Sequence, residues 1–347
     1  MLSRMAESLY WIGHYVERAE QTARITDVTF RHTLTMGRAP TAEAQRERHW
    51  QTLLDIVGER EAMADAVDEQ TVPAHVTFSE DNPNSIVHCI ANARENARTM
   101  RHQLATEMWE VLNRFHFDVQ RPARRRRATA GAEQATRFCR SVIEFSRSFQ
   151  GVTDSTMPRE EGWYFLNAGK FLERADKTAR ALEVNYRLLV GDDTHDELLL
   201  SPASAGSDQQ PWANVLRALS AYEAYYRVSS TGVQCGGVIE LLTLSPVVPR
   251  SIRFSITNVD AALRHITEDA PSYSGSDRTP GAAHESEARR AVGRLNGELA
   301  FQRLDDVVRY GVHRYLRDLQ RRCYRIGEAI EEEFFAHRPL TAEQVIG

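Results

Sequence analysis

The chain has 347 residues, 42% of them hydrophobic and 26% charged, which is enough apolar content for a substantial core and too much for global disorder. A formal net charge of -5 gives no overall pull toward nucleic acid or anionic membrane. No apolar run approaches the roughly 20 residues of a membrane span, and the opening Met1 to Glu7 lacks the apolar segment of a signal peptide, so a cytoplasmic protein without membrane or nucleic-acid partners is expected.

Helical periodicity dominates the chain. Leu9, Ile12, Val16, Ala19 and Ala23 follow the three-four spacing of a helix, with Ser3 as its expected N-cap. Residues 37–47 are polar with Gly and Pro and read as a break. A second long helix is expected from near Pro83, capped by Asn82, to beyond Trp109. The basic run 121–127 reads as a solvated linker rather than a phosphate patch, because no aromatics interleave with it. Further helices are expected over 132–149, from Pro158 to Val190, over 211–228 and over 249–267, with one long helix over 286–337. Residues 191–211 and 268–284 read as mobile loops. No stretch shows strand-like alternation bounded by turn signals.

Two strings recur. Residues 13–24 read GHYVERAEQTAR and residues 169–180 read GKFLERADKTAR. Residues 83–92, PNSIVHCIAN, match 249–258, PRSIRFSITN, in the same order along the chain, and Arg98 then aligns with Arg264. The simplest account is an ancient duplication, with halves near 1–150 and 157–337. The fold expected is an all-α helical bundle, a single domain over 1–347 built from a duplicated helical unit with pseudo-two-fold symmetry.

Turning each residue by about 100° and taking Leu9 as zero, Gly13, Glu17, Glu20 and Arg24 fall at roughly 40°, 80°, 20° and 60°. They form one charged face beside the apolar stripe, and Gly169, Glu173, Asp176 and Arg180 repeat it. Arg18 and Arg174 fall near roughly 180° by the same rule and are expected to point elsewhere. A mid-helix glycine costs about 1 kcal/mol against alanine, so Gly13 and Gly169 suggest close approach of another backbone or of a ligand. Two readings stay open. One is a buried ion-pair network between helices. The other is a polar site in which Arg24 and Arg180 bind a carboxylate or phosphate while Glu17 and Glu173 orient them or handle protons.

Other candidates are Glu95 as an acid or base and Arg98 as a ligand-binding cation, both in the cluster 94–98, and Arg250 and Arg253 just past Pro249. Cations at a helix start oppose its dipole, so these two arginines need acidic partners or an anion. Trp11, Trp109 and Trp163 read as core or interface anchors. Cys89, Cys139, Cys235 and Cys323 lack Cys-x-x-Cys spacing and read as reduced, partly buried thiols. No histidine spacing indicates a metal, and no phosphate loop or catalytic Cys-His signature appears.

The opening MLSRMAESLYWIGHYVERAE, together with RENAR (94–98), EMWEVLN (107–113), EGWYFL (161–166), LERADKTAR (172–180), YYR (225–227) and PRSIRF (249–254), resembles the alpha-E family, a bacterial helical domain. Members usually carry Arg where this chain has His14 and Lys170, which weakens any anion site that relies on Arg there. The resemblance implies a context. Alpha-E proteins are typically encoded beside, or fused to, a circularly permuted ATP-grasp ligase, often with a transglutaminase-like peptidase nearby. The implied role is a helical partner of a carboxylate-amine ligase in amide or peptide chemistry, with ATP and Mg on the ligase and no cofactor assigned to this chain. The alternatives are an enzyme in its own right, using Glu17, Glu173 or Glu95 with Arg24 and Arg180 as a carboxylate clamp, or a scaffold or homo-oligomer with no ligand of its own.

Overall fold

The computed structural model describes residues 1–36, 40–63, 67–125, 132–191, 209–230, 232–268 and 286–335. Among them the chain is all α, with no strand. Two long helices, α1 (Ser3–Thr35) and α7 (Glu161–Leu189), cross at the centre. Between them lie α2 (Pro40–Val57), α3 (Thr71–Phe78), α4 (Ile86–Thr99), α5 (Thr106–Arg125) and α6 (Ala132–Thr156). The second half adds α8 (Gln209–Ala218), α9 (Tyr222–Val228), α10 (Cys235–Leu244), α11 (Ile252–Glu268), α12 (Glu287–Phe301), α13 (Leu304–Tyr310) and α14 (Val312–Ile330), closed by a π-helical turn over 331–335. Helix α1 packs on α7, α4 and α6, while α7 packs on α1, α11 and α14, so each central helix is wrapped by others.

The glycines fix the crossing. A Cβ on Gly13 would stand 2.0 Å from the Leu166 carbonyl oxygen, and one on Gly169 would stand 2.1 Å from that of Tyr10. Only glycine lets the two backbones approach so closely. The contacts are reciprocal, since each glycine meets the carbonyl three residues before the other.

The entries to α4 and α11 are also built alike. The Ser85 hydroxyl donates to the Ser79 carbonyl at 2.7 Å and accepts from His88 N–H at 3.3 Å. The Ser251 hydroxyl donates to the Ser245 carbonyl at 2.5 Å and accepts from Phe254 N–H at 3.0 Å. Each serine thereby caps its helix and holds the chain six residues upstream.

Several sequence expectations are corrected. Ser3 lies inside α1 and Leu2 precedes it, with no side-chain cap. Ser85, not Asn82, caps α4; Asn82 instead accepts from Asn84 N–H at 2.7 Å in the turn before it. The helix expected from Pro83 past Trp109 breaks after Thr99, in a 3-10 turn over 101–103. The helix expected over 211–228 is two, parted at Ser220, whose φ of 53° no helix continues. The final long helix breaks before Leu304 and at Gly311, with φ 93°. Helix α2 occupies most of the expected break at 37–47, and α10 had no counterpart in the sequence reading. The loops expected over 191–211 and 268–284 fall largely outside the described residues, as do the side chains of the basic run 121–127.

Candidate functional site

The repeated strings meet where α1 crosses α7, and they exchange arginines there. Arg174 grips Glu17 with two bonds, Nε to Oε1 at 2.9 Å and Nη2 to Oε2 at 2.6 Å. Arg18 grips Glu173 in the same way, Nε to Oε1 at 2.7 Å and Nη2 to Oε2 at 3.2 Å. Both are planar two-bond pairings, the strongest geometry available to guanidinium and carboxylate. Arg18 and Arg174 therefore do not point away, as the single-stripe projection had it. That projection assumed a helix with one buried side, whereas α1 and α7 are buried around most of their circumference, and Glu17, Glu173 and Arg174 are all enclosed.

On the Glu17 side the network is extended and filled. Glu17 also accepts from Gln21 at 3.1 Å and from Arg250 Nη1 at 2.7 Å. Glu20 accepts from Arg24 Nε at 2.7 Å, Arg250 Nη2 at 2.5 Å, the Ser146 hydroxyl at 2.7 Å and the Gln150 amide at 3.2 Å. Each carboxylate thus accepts four bonds, which is about the full lone-pair capacity of the group. Burial pushes the Glu20 carboxyl up, but Arg250 and Arg24 outweigh it and hold it at about 2. Arg250 stands just before α11, and its acidic partners are these two glutamates.

The Glu173 side is built differently. Asn84 occupies the position equivalent to Arg250, accepting from Arg18 Nη1 at 2.7 Å and donating to Glu59 at 2.8 Å. Lys177 Nζ is 4.0 Å from Glu173 Oε1 and His14 Nε2 is 3.5 Å from Glu173 Oε2. Burial pushes the Glu173 carboxyl up, yet Arg18 foremost, with Lys177, carries it well below the usual carboxylate range. His14 is not an ionised partner. Burial among Tyr10, Trp11 and Tyr15 drives its imidazole down to about 4, more than Glu173 can restore, so at neutral pH it is uncharged.

The remaining sequence candidates are scattered. Arg24 is buried and paired with Glu20. Arg180, half-buried, lies 3.8 Å from Asp176. Glu95 is exposed on α4, bonded to Arg94 and, at 2.8 Å, to Arg98. Arg253 donates to the Leu244 carbonyl at 3.3 Å, tying α11 to the end of α10. The structure therefore brings Glu17, Arg24, Arg250 and Glu173 into one clasp and leaves Glu95, Arg98 and Arg253 apart from it. Sequence reasoning missed Asn84, Ser146 and Gln150 as partners; the matched blocks at 83–92 and 249–258 were the one signal for Asn84. Trp11, Trp109 and Trp163 pack against the core as half-buried rings, Trp109 with Arg94 and Arg101 each 5.5 Å from its centre. The four cysteines are free thiols. Among the described residues, no cluster of three or more His, Cys, Asp or Glu could hold a metal, and no helix is long and apolar enough to cross a membrane.

Both crossed pairs fall on a Glu-Arg dipeptide, Glu17-Arg18 on α1 and Glu173-Arg174 on α7. A sequence model of the Alpha-E family, described as a predicted alpha-helical domain with a conserved ER motif, matches residues 1–335. The chain belongs to the Alpha-E family. Similar curated proteins include an uncharacterized protein of Mycobacterium bovis, 24% identical over 300 residues, which cover 82% of this chain and 32% of that protein. Two uncharacterized proteins of Mycobacterium tuberculosis match at 24% and 23% with the same coverage. The Alpha-E chain thus spans about a third of the length of the curated relatives it matches. No solved structure matches it.

Proposed function

We propose that this Alpha-E protein is a non-catalytic helical partner of an ATP-grasp carboxylate-amine ligase, acting in amide or peptide chemistry, and that its repeated motif arose by duplication and serves as a structural clasp. The observation that carries the non-catalytic clasp is the saturation of Glu17 and Glu20, while the ligase partnership rests on the family resemblance. An acid-base carboxylate needs a free lone pair and a path to substrate, and each of these already accepts four bonds inside the protein. Glu173, 3% exposed, is likewise closed in by Arg18. The reciprocal glycine contacts and the matched serine caps support the duplication. Relatives about three times as long support a domain that works beside others. ATP and Mg would sit on the ligase, and a transglutaminase-like peptidase would be a further partner of the same system.

Co-purification with the ATP-grasp protein of the same source tests the partnership, together with ATP-dependent ligation measured with and without this chain. The expected result is a stable complex and a raised ligation rate. No complex and an unchanged rate overturn it. Ligation by this chain alone, lost in a folded Glu17→Gln variant, would return the assignment to an enzyme.

A further inference from the structure

Away from the clasp, α5 and α6 pack side by side and leave an open groove of about 570 Å³. Its floor is apolar. Phe78 from α3, Val111, Phe115 and Val119 from α5, and Phe138 and Phe145 from α6 line it. Phe115 stacks flat on Phe145 with ring centres 4.2 Å apart, and Phe78 meets Phe138 at 4.5 Å. The rim carries Arg114, Asp118, Arg137 and Glu144, all exposed, while Gln134, Ser141 and Ser148 complete the α6 wall. Along α6 the lining runs from Gln134 to Ser148, roughly 21 Å at 1.5 Å per residue, or about four helical turns.

The fold does not require rings at this place, because the second half does without them. Helix α5 packs against α4 and α6 as α12 packs against α11 and α14. Arg94 on α4 donates to Asn113 on α5 at 3.2 Å, and Asn296 on α12 donates to Asp260 on α11 at 3.0 Å. Arg94 and Asp260 stand 166 residues apart, the same offset that separates the blocks 83–92 and 249–258. Each asparagine also follows a fully buried leucine, Leu112 or Leu295. Asn113 and Asn296 are therefore equivalent in position, whatever the origin of the halves. Two residues further on stand Phe115 and Glu298. Phe115 stacks on Phe145 of α6, whereas Glu298 forms an ion pair with Arg322 of α14. One half finishes this helix pair with a solvated ion pair, and the other floors a groove with rings. Exposed apolar surface rimmed by polar groups marks a site of interaction.

Charge selects the occupant. Residues 111–148, which span the groove helices, carry nine arginines against three acidic residues, in a chain whose net charge is -5. The groove thus lies on a basic island of an acidic protein. Phe138 and Phe145 are buried in its floor and offer no standing ring for a nucleic-acid base to stack on. We propose that the α5–α6 groove docks an acidic amphipathic helix of a partner protein. Its apolar residues, at three-four spacing, pack onto Phe115, Phe138 and Phe145, and its carboxylates face the arginines around the rim. This assignment does not depend on the ligase partnership.

The probe is a synthetic peptide of about 14 residues, with Leu and Phe at i, i+3, i+4 and i+7 and Glu elsewhere. Its binding to the full chain is read by fluorescence anisotropy. Saturable binding that weakens with added salt is expected. The double variant Phe115→Glu with Phe145→Arg copies the ion pair of the second half, and circular dichroism reports its folding. It is expected to weaken binding by about tenfold or more. Arg114→Glu, a change on the exposed rim that leaves the floor intact, is expected to weaken binding as well. No saturable binding, equal binding of the same peptide with Lys in place of Glu, or binding untouched by Arg114→Glu and by the folded double variant overturns the proposal. So does self-association of the chain, or attachment to phosphatidylserine vesicles, that Arg114→Glu abolishes and the peptide fails to compete.

Discussion

A single methyl group on Gly13 probes the crossing directly. In Gly13→Ala the new Cβ would lie 2.0 Å from the Leu166 carbonyl oxygen and 3.2 Å from the Lys170 nitrogen. An ordinary carbon-oxygen contact needs more than 1 Å of additional space, by the roughly 3.5 Å separation of non-bonded atoms. The obstructing atoms are backbone, so no side-chain rotation relieves them and the helices themselves must part. Parting them also stretches the crossed Arg18–Glu173 and Arg174–Glu17 bonds, now 2.6–3.2 Å long. Helix propensity alone would favour alanine by about 1 kcal/mol. Overpacking in a tight core costs about 1–3 kcal/mol and more when backbone must move, and loosened buried pairs add to it, so a net loss of about 3 kcal/mol is expected. The measurement is the urea unfolding midpoint of Gly13→Ala beside Gly151→Ala, a glycine in α6 with nothing within 4 Å of its Cβ position. Gly151→Ala is expected to stabilise by about 0.5–1 kcal/mol. Equal gains in both variants would refute the reasoning.

Further outcomes follow from the same geometry. Arg174→Ala, which leaves Glu17 short of its two-bond partner, is expected to cost about 3–5 kcal/mol by denaturant unfolding, whereas Arg98→Ala on the exposed α4 surface is expected to change stability by less than about 1 kcal/mol. Ser251→Ala removes the α11 cap and its bond to the Ser245 carbonyl, and is expected to cost about 1–2 kcal/mol. His14 should contribute to acid lability. Its folded pKa of about 4 lies below the ordinary 6.5, so the unfolded chain takes up the proton first and stability falls as pH drops from 6.5 toward 4. That loss is on the order of 3 kcal/mol and should shrink in His14→Gln, read from unfolding midpoints across this window. Glu20 acts lower down. Its contribution is complete above 4.5 and is lost as pH falls toward about 2, which Glu20→Gln should flatten.

Much of this was legible in the sequence. Periodicity gave α1, α6, α7 and α11, and the paired glycines pointed to close backbone approach, because a costly residue kept twice in a helix needs a steric reason. The direction of Arg18 and Arg174 was not legible. A helical projection assumes a wet face, and α1 and α7 have almost none. Helices α12 to α14 read as one because Val292 to Ile330 keep an apolar stripe through the breaks, and only Gly311 marked a stop. The short apolar α10 carries too few polar residues to show a period. Glu20 shares its charged face with Arg24 one turn on, yet its partners from afar, Arg250 and Ser146, are 230 and 126 residues away in the chain. No local pattern encodes such pairings.

Lysine occurs only at Lys170 and Lys177, which has a practical consequence at the crossing. A protease that cuts only after lysine has two targets in the whole chain, one turn either side of Glu173, and both lie on the helix that the clasp holds closed. Cleavage there would release fragments 1–170 and 178–347 and cut α7 on both sides of Glu173. Such a protease reads how often α7 comes free of α1, with no label and no engineered site, while surface fraying elsewhere stays silent.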